Sequence, residues 1–273
     1  MKAFHIGASI FLFVFCILLV CVTCKKDNSN PPPALPPLNS FIVDFSDFTS
    51  SSTGTLPQSL LKSTEVLSNY QAAALTVSYW NSILYLNTAI PAACFKEAFN
   101  HKGIYITTNT WEWNYSVADG ANTITSRLQA ILVTDSVKWK MYISASGDSL
   151  SLTDFLWITG TSSLAGTGGS WILNESPAIP NPLFSINWSR DNNLSGSIQY
   201  TYVKPGTDAT GNYIKFETKD TALTLDHFYF IHKERPVNFD TKIQWNARTK
   251  AGRYYDINGW HCWDSGKLDV ACN

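Results

Sequence analysis

From Ile104 onward, apolar and polar residues alternate along the chain with a period of two. The stretch TWEWNYSV sets Trp111, Trp113, Tyr115 and Val117 on one face, with Glu112, Asn114 and Ser116 on the other. Asp119–Gly120 is a hairpin-turn signal, after which TITSRLQAILV returns. VKWKMYIS repeats the alternation with Val137, Trp139, Met141 and Ile143. Further strand-like runs are FLWIT, SWIL, LFSINW, SIQYTYV, NYIKFET, LTLDHFYFIH, KIQWNA and GRYYDI. Clusters such as GTSSLAGTGG, PAIPNP, SRDNNLSG, KPGTDATG and KERPVNFD separate them as turns. FLWIT, LFSINW and HFYFI are apolar at consecutive positions, which predicts strands covered on both faces.

The run amounts to about ten strands with short connections and no helical crossover, a mainly β antiparallel meander. So long a meander is expected to curl into a barrel or half-barrel, which hides its edges. Before it, FIVDFSDF (41–48) reads as a first strand and TSSSTGT as a loop. Helical spacing follows over 57–90, with Pro57 suited to a first turn and Leu60, Leu61, Thr64, Leu67, Ala74, Leu75, Ser78 and Tyr79 recurring. Pro91 is expected to open a further helical piece through Phe99, stopped by Gly103. This N-terminal helical segment should pack on one end of the sheet or on its concave face. Residues 41–273 are read as a single β-rich domain.

The first residues change the picture. Lys2 precedes an apolar run from Ile6 to Val22 whose plainly polar member is Ser9, the layout of a secretory signal. The run is at the lower limit for spanning a bilayer, so an uncleaved signal-anchor is the alternative. VCVTCKKD followed by a flexible tract resembles the signals of bacterial lipoproteins, in the relaxed form common in the Bacteroidetes. That resemblance implies a signal peptide over 1–23, cleavage after Thr23 and lipid (palmitate-type acyl chains) on Cys24. Cys21 and Thr23 stand where the family usually has Leu and a small residue. Residues 24–40 then form a lipidated N-terminus and a proline-rich, semi-rigid spacer. The implied location is exported and anchored to the bacterial outer membrane, on either its periplasmic or its surface face. The layout of a bent meander with a helical segment is also similar to LolA-like lipid-carrying half-barrels, a resemblance of architecture without a shared motif.

The chain has 273 residues, 45% hydrophobic and 15% charged, enough for a substantial core. A net charge of −1 and no basic block beyond a pair argue against nucleic acid as a partner. Cys262 and Cys272 flank WDSGKLDVA, a turn between two short strands, and an oxidising compartment favours a bridge between them. Cys94, inside IPAACFKEAF, reads as a buried small hydrophobe.

The remaining chemistry is thin. His227 and His232 sit five apart on one expected strand and point to opposite faces, so they share no metal. Asp226 shares a face with His232, but far along the strand. His261 lies beside Cys262 and near Asp264, which is two ligands short of a zinc site. GTSSLAGTGGS lacks the Lys-Ser/Thr ending of a phosphate loop and reads as a flexible hairpin. No catalytic, metal or cofactor set is expected, and a non-catalytic role is preferred over an enzymatic one. Most of the strand tryptophans (Trp111, Trp113, Trp139, Trp157, Trp171, Trp188, Trp245) are expected in the core, and Trp111, Trp113, Trp139, Trp260 and Trp263 are candidates for contact with a ligand. Three readings stay open: a tethered binding protein for an apolar or amphipathic ligand, a glycan-binding surface lipoprotein, and a structural or assembly subunit of an envelope complex.

Overall fold

The computed structural model describes residues 31–43, 45, 67–119, 122–147, 151–191, 195–219, 224–233 and 238–272. The signal read over 1–23, the lipid site Cys24 and the helical start at Pro57 lie outside these residues. One helix, α1 (Asn69–Glu97), is followed by strands β1 (Ile104–Thr107), β2 (Thr110–Asp119), β3 (Asn122–Leu132), β4 (Ser136–Ser146) and β5 (Leu152–Ser163). Next come β6 (Gly168–Ser176), β7 (Ile179–Arg190), β8 (Gly196–Tyr202), β9 (Tyr213–Thr218) and β10 (His227–Lys233). The last four are β11 (Phe239–Trp245), β12 (Gly252–Asp256), β13 (Gly259–Trp263) and β14 (Asp269–Val270). All fourteen form one sheet in which each strand pairs with its sequence neighbours. Every pairing is antiparallel, so the meander is confirmed. The sheet does not close into a barrel. Its edges, β1 with four residues and β14 with two, are too short to form a closing ladder.

One row of paired residues shows how the core is built. Across consecutive strands Trp111 faces Ala130, then Trp139, Gly160 and Trp171. The row continues through Ile186, Tyr200, Ile214, Ile231 and Thr241. Large rings thus alternate with residues that carry almost no side chain. A Cβ on Gly160 would lie 2.2 Å from Trp171 Cε3, and one on Gly252 would lie 2.4 Å from Trp263 Cζ2. Gly169 stands in the same way against Trp188. In this row Trp111, Trp139 and Trp171 stand opposite alanine or glycine of a neighbouring strand, and each is at most 2% exposed.

This corrects the reading of GTSSLAGTGGS as a flexible loop. Gly160 belongs to β5 and Gly169 to β6, and the turn between the strands occupies 164–167. The glycines are strand residues that make room for indoles. The apolar runs FLWIT and LFSINW also have a local cause. The register shifts beside Trp157 in β5 and beside Leu183 in β7. Each bulge turns two successive residues inward, so Trp157 and Ile158, and Leu183 and Phe184, are buried together without a second covering layer. In HFYFI, Tyr229 and Ile231 face the core, while Phe228 and Phe230 face outward beneath Lys219 and Lys242.

The inner face of the sheet is covered by the chain itself. Ser68 caps α1 in a capping box with Gln71, and the helix runs unbroken through Pro91. Pro91 does not begin a new piece, because its buried setting holds the helix across the missing hydrogen bond. Its apolar residues Ala73, Val77, Leu84, Cys94 and Phe95 are buried. The tract expected to be a free spacer is partly packed: Pro36 and Ser40 are buried, and Trp171 Nε1 donates to Ser40 Oγ at 3.4 Å. FIVDF is not a strand in its described part. Phe41 and Val43 have no strand partner, and Phe41 and Phe45 are inserted into the core instead. Phe41 packs edge-on to Trp171 at 6.3 Å, and Phe45 lies 5.0 Å from Phe216. No helix among the described residues is long and apolar enough to cross a membrane.

Candidate functional site: a cleft between the helix and strands β7 to β10

Helical spacing brings Trp80, Ile83, Leu84 and Asn87 to one stripe in the middle of α1. This stripe stands over the sheet where β7 begins, β8 ends, β9 begins and β10 ends. The space between is a cleft of about 450 Å³. Its sheet side is formed by Leu183, Phe184, Tyr200, Ile214 and Ile231. All five are buried, as is Leu84 on the helix side. Tyr200 donates its hydroxyl to the Phe41 carbonyl at 2.8 Å, so its polar end is already satisfied by the inserted segment. Tyr202 stands edge-on to Phe184 at 5.7 Å and continues the aromatic wall.

The rim is polar. Lys204 Nζ reaches both Glu175 oxygens, at 2.8 and 2.7 Å. His232 Nδ1 lies 2.8 Å from Asp240 Oδ1, and its ring stacks on Tyr213 at 4.9 Å. Burial, and next the Asp240 carboxylate, raise the Tyr213 phenol above its ordinary value. Asn87, Asn212 and Lys233 complete the mouth. An apolar floor beneath a ring of polar groups suits a ligand with one greasy part and one wet end.

The residues singled out by sequence fall elsewhere. Trp111, Trp113, Trp139 and Trp263 are at most 3% exposed and stand in the closed core, so they offer no ligand surface. Trp111, Trp139 and Trp263 stand opposite alanine or glycine, while Trp113 stands opposite Leu128 with Gly103 against its ring. Trp260 is 36% exposed on β13, with Arg253 Cζ 4.2 Å from its ring centroid. His227 and His232 face opposite sides of β10, and each has its own carboxylate. Asp226 holds His227 at 2.7 Å and also accepts the Ala247 amide, so it serves the fold locally. His261 pairs with Asp256 at 3.0 Å and stacks on Tyr254, while Asp264 closes the following turn on Gly266 and Leu268. Among the described residues no group of three His, Cys, Asp or Glu side chains could hold a metal ion.

Cys262 and Cys272 are at disulfide distance, with S–S 2.13 Å. Cys94 is free and fully buried, and burial pushes its thiol up to about 12. The cleft itself was not flagged from sequence. The stripe Trp80–Leu84–Asn87 is the signal the sequence offers, but its sheet partners come from the ends of four strands. Compared with protein-family models, with curated proteins and with solved structures, the chain matches none.

Proposed function

We propose that this chain is an exported, lipid-anchored binding protein that holds an amphipathic ligand in the cleft between α1 and β7–β10. The observation that carries the reading is the cleft: an apolar floor of buried residues, open to solvent through a polar mouth. Its volume of about 450 Å³ falls within the range of about 300–1,000 Å³ usual for small-molecule sites. A ligand in a barrel lumen is replaced by this arrangement, because α1 and Phe41–Phe45 fill the inner face.

The reading includes a half-barrel wrapped on the helix. Asn69 at one end of α1 bonds to Cys262 and Asp269, Asn81 in the middle meets Tyr229, and the Cys94 carbonyl accepts from Tyr115. These partners lie on β13–β14, β10 and β2. From Asn69 to Cys94 the helix rises about 38 Å. Eleven strand spacings from β2 to β13 would need about 53 Å if flat. A sheet curved around the helix reconciles the two lengths. Attachment through Cys24 to the outer membrane accords with the lipoprotein-like signal and with the few residues left between Cys24 and the packed Pro31–Ser40 segment.

Native mass spectrometry of the chain purified from membranes tests the whole reading. The mass of the chain reports acylation at Cys24, and extra peaks report co-purified amphiphile. Long-chain fatty acids and lysophospholipids should also raise the Tm. Ile83→Trp, which fills the cleft from the helix side, should abolish both effects while leaving the ligand-free Tm in place. Absence of any bound or stabilising amphiphile would refute the assignment.

A further inference from the structure

The outer face of the same sheet carries a second pattern, independent of the cleft. One outward row crosses nine strands. Its first part is Thr161, Ser170, Asn187 and Gln199, in direct register from β5 to β8. These are neutral hydroxyl and amide groups, and neighbours on the same face extend them: Thr161 meets Ser170 at 3.2 Å, Ser189 meets Ser197 at 2.9 Å, and Gln199 donates to Thr201 at 3.0 Å. Its second part is Lys215, Phe230, Lys242, Tyr255 and Trp260, in register from β9 to β13. Here cations alternate with rings. Lys242 Nζ stands 5.9 Å from the Phe230 ring and 5.6 Å from the Tyr255 ring. Arg253 lies over Trp260 and donates to Gln244 Oε1 at 2.8 Å. Lys215 is paired with Glu217, whereas Lys242 and Arg253 belong to no ion pair among the described residues.

We infer that this face binds an acidic polysaccharide laid across the strands. At a strand spacing of about 4.8 Å the row is about 38 Å long, which accommodates several sugar units. Hydroxyls and amides donate and accept at once, as sugar hydroxyls require. Trp260, 36% exposed, leaves apolar surface beside its cation for the C–H side of a pyranose. Lys242 and Arg253, held upright by the rings beneath them, complement carboxylate or sulfate groups. An anionic membrane is the poorer fit, since its headgroup surface would leave the neutral half of the row without a counterpart and calls for more cations. Nucleic acid is poorer still: the cations of this face outside ion pairs among the described residues, among them Lys138 beside Thr161 and Lys219 with Lys242 and Arg253, neutralise few phosphates, and the chain is net negative.

Affinity electrophoresis of the full chain in detergent, through gels carrying polygalacturonate, alginate or chondroitin sulfate, tests this. At least one should retard the chain, and methyl-esterified polygalacturonate should retard it at least ten-fold less than the acid. The double variant Lys242→Gln/Arg253→Gln should bind at least ten-fold more weakly, and Asn187→Ala/Gln199→Ala three-fold or more, both with unchanged Tm. No retardation by any of the three would overturn the inference. So would binding that survives both variants, or equal binding of duplex DNA or phosphatidylglycerol vesicles, which would mean charge attraction alone. Ile83→Trp, which blocks the cleft, should leave the retardation unchanged, so the two sites are judged separately.

Discussion

The packing of Trp171 over Gly160 makes a prediction whose sign runs against propensity. In a strand interior, replacing Gly by Ala ordinarily stabilises by about 0.5–1 kcal/mol, because the unfolded chain loses freedom. At position 160 the new methyl would lie 2.2 Å from Trp171 Cε3 and 2.5 Å from the Ser170 carbonyl oxygen. Unstrained carbon contacts are about 3.5–4.0 Å. Neither neighbour can yield cheaply. Trp171 is 1% exposed and is held by Phe95 at 5.4 Å, Phe41 at 6.3 Å and Trp139 at 6.5 Å. The Ser170 carbonyl belongs to the β5–β6 ladder.

Overpacking of this kind costs about 1–3 kcal/mol. Because neither neighbour can yield, the cost lies at about 2–3 kcal/mol, and subtracting the entropic gain leaves a net loss of about 1–2.5 kcal/mol for Gly160→Ala, or about 2–10 °C in Tm for a domain of this size. Gly168→Ala is the matched control on the adjoining strand. Its Cβ would meet nothing closer than 3.4 Å, so it should be neutral or stabilising by up to about 1 kcal/mol. Urea unfolding with an unchanged m-value provides the comparison. Trp171→Phe in the Gly160→Ala background should recover part of the loss, giving a coupling of about 0.5 kcal/mol or more. If Gly160→Ala matched wild type, or behaved like Gly168→Ala, the account of the core as indoles seated on glycines would be wrong.

Three further outcomes follow from buried groups and the C-terminal cross-link. With its thiol near 12, Cys94 is thiolate in only about one molecule in ten thousand at about pH 8. Peptide mapping should therefore find it unalkylated by iodoacetamide in the native chain and fully alkylated in urea; native labelling at the denatured rate would contradict its burial. Burial also holds the Tyr115, Tyr200 and Tyr229 phenols protonated above their unfolded value of 10.0. Below that value both states keep the protons and stability is unaffected. Above it the unfolded chain alone releases them, so stability should fall by up to about 1.4 kcal/mol per pH unit for each tyrosine, read as falling urea midpoints from pH 9 to 12. Finally, Cys272→Ser should lower stability by about 2–3 kcal/mol through the unfolded state, with the urea midpoint as the readout. A midpoint equal to wild type would show the bridge to be without effect.

What the sequence reveals here depends on range. Alternation at Trp111–Val117 and Val137–Ile143 is a local property, and both strands stand where the period of two places them. The glycines of GTSSLAGTGGS could not be read in the same way, because the need for glycine comes from an indole on another strand. Trp157 and Leu183 mislead for a related reason: a bulge turns consecutive residues to one face, and the run alone looks like two-sided burial. FIVDF has strand composition but finds no edge to pair with, and packing against Trp171 and Tyr229 decides its conformation. The cleft was hidden most deeply. Its sheet wall joins residues about fifty positions apart, and their alignment is set by cross-strand register.

On the proposed reading, the way the interior is filled also bears on how a ligand would enter the cleft. The indole row is closed on both sides, so opening it would expose several tryptophans at once, each worth several kcal/mol. Helix α1 is tied at its start by Asn69 to β13–β14 and near its end by the Cys94 carbonyl to Tyr115 at 2.6 Å. Between these ties Tyr229 donates to Asn81 at 3.4 Å, a longer contact than those at the ends. The stripe Trp80–Asn87 that roofs the cleft begins beside that link. On that reading, a ligand too large for the cleft would require the Trp80–Asn87 stripe to shift while the Trp–Gly row stays in place. Val77, Ser78, Leu84 and Thr88 are buried between the two ties, so the middle of the helix is held by packing as well as by that link.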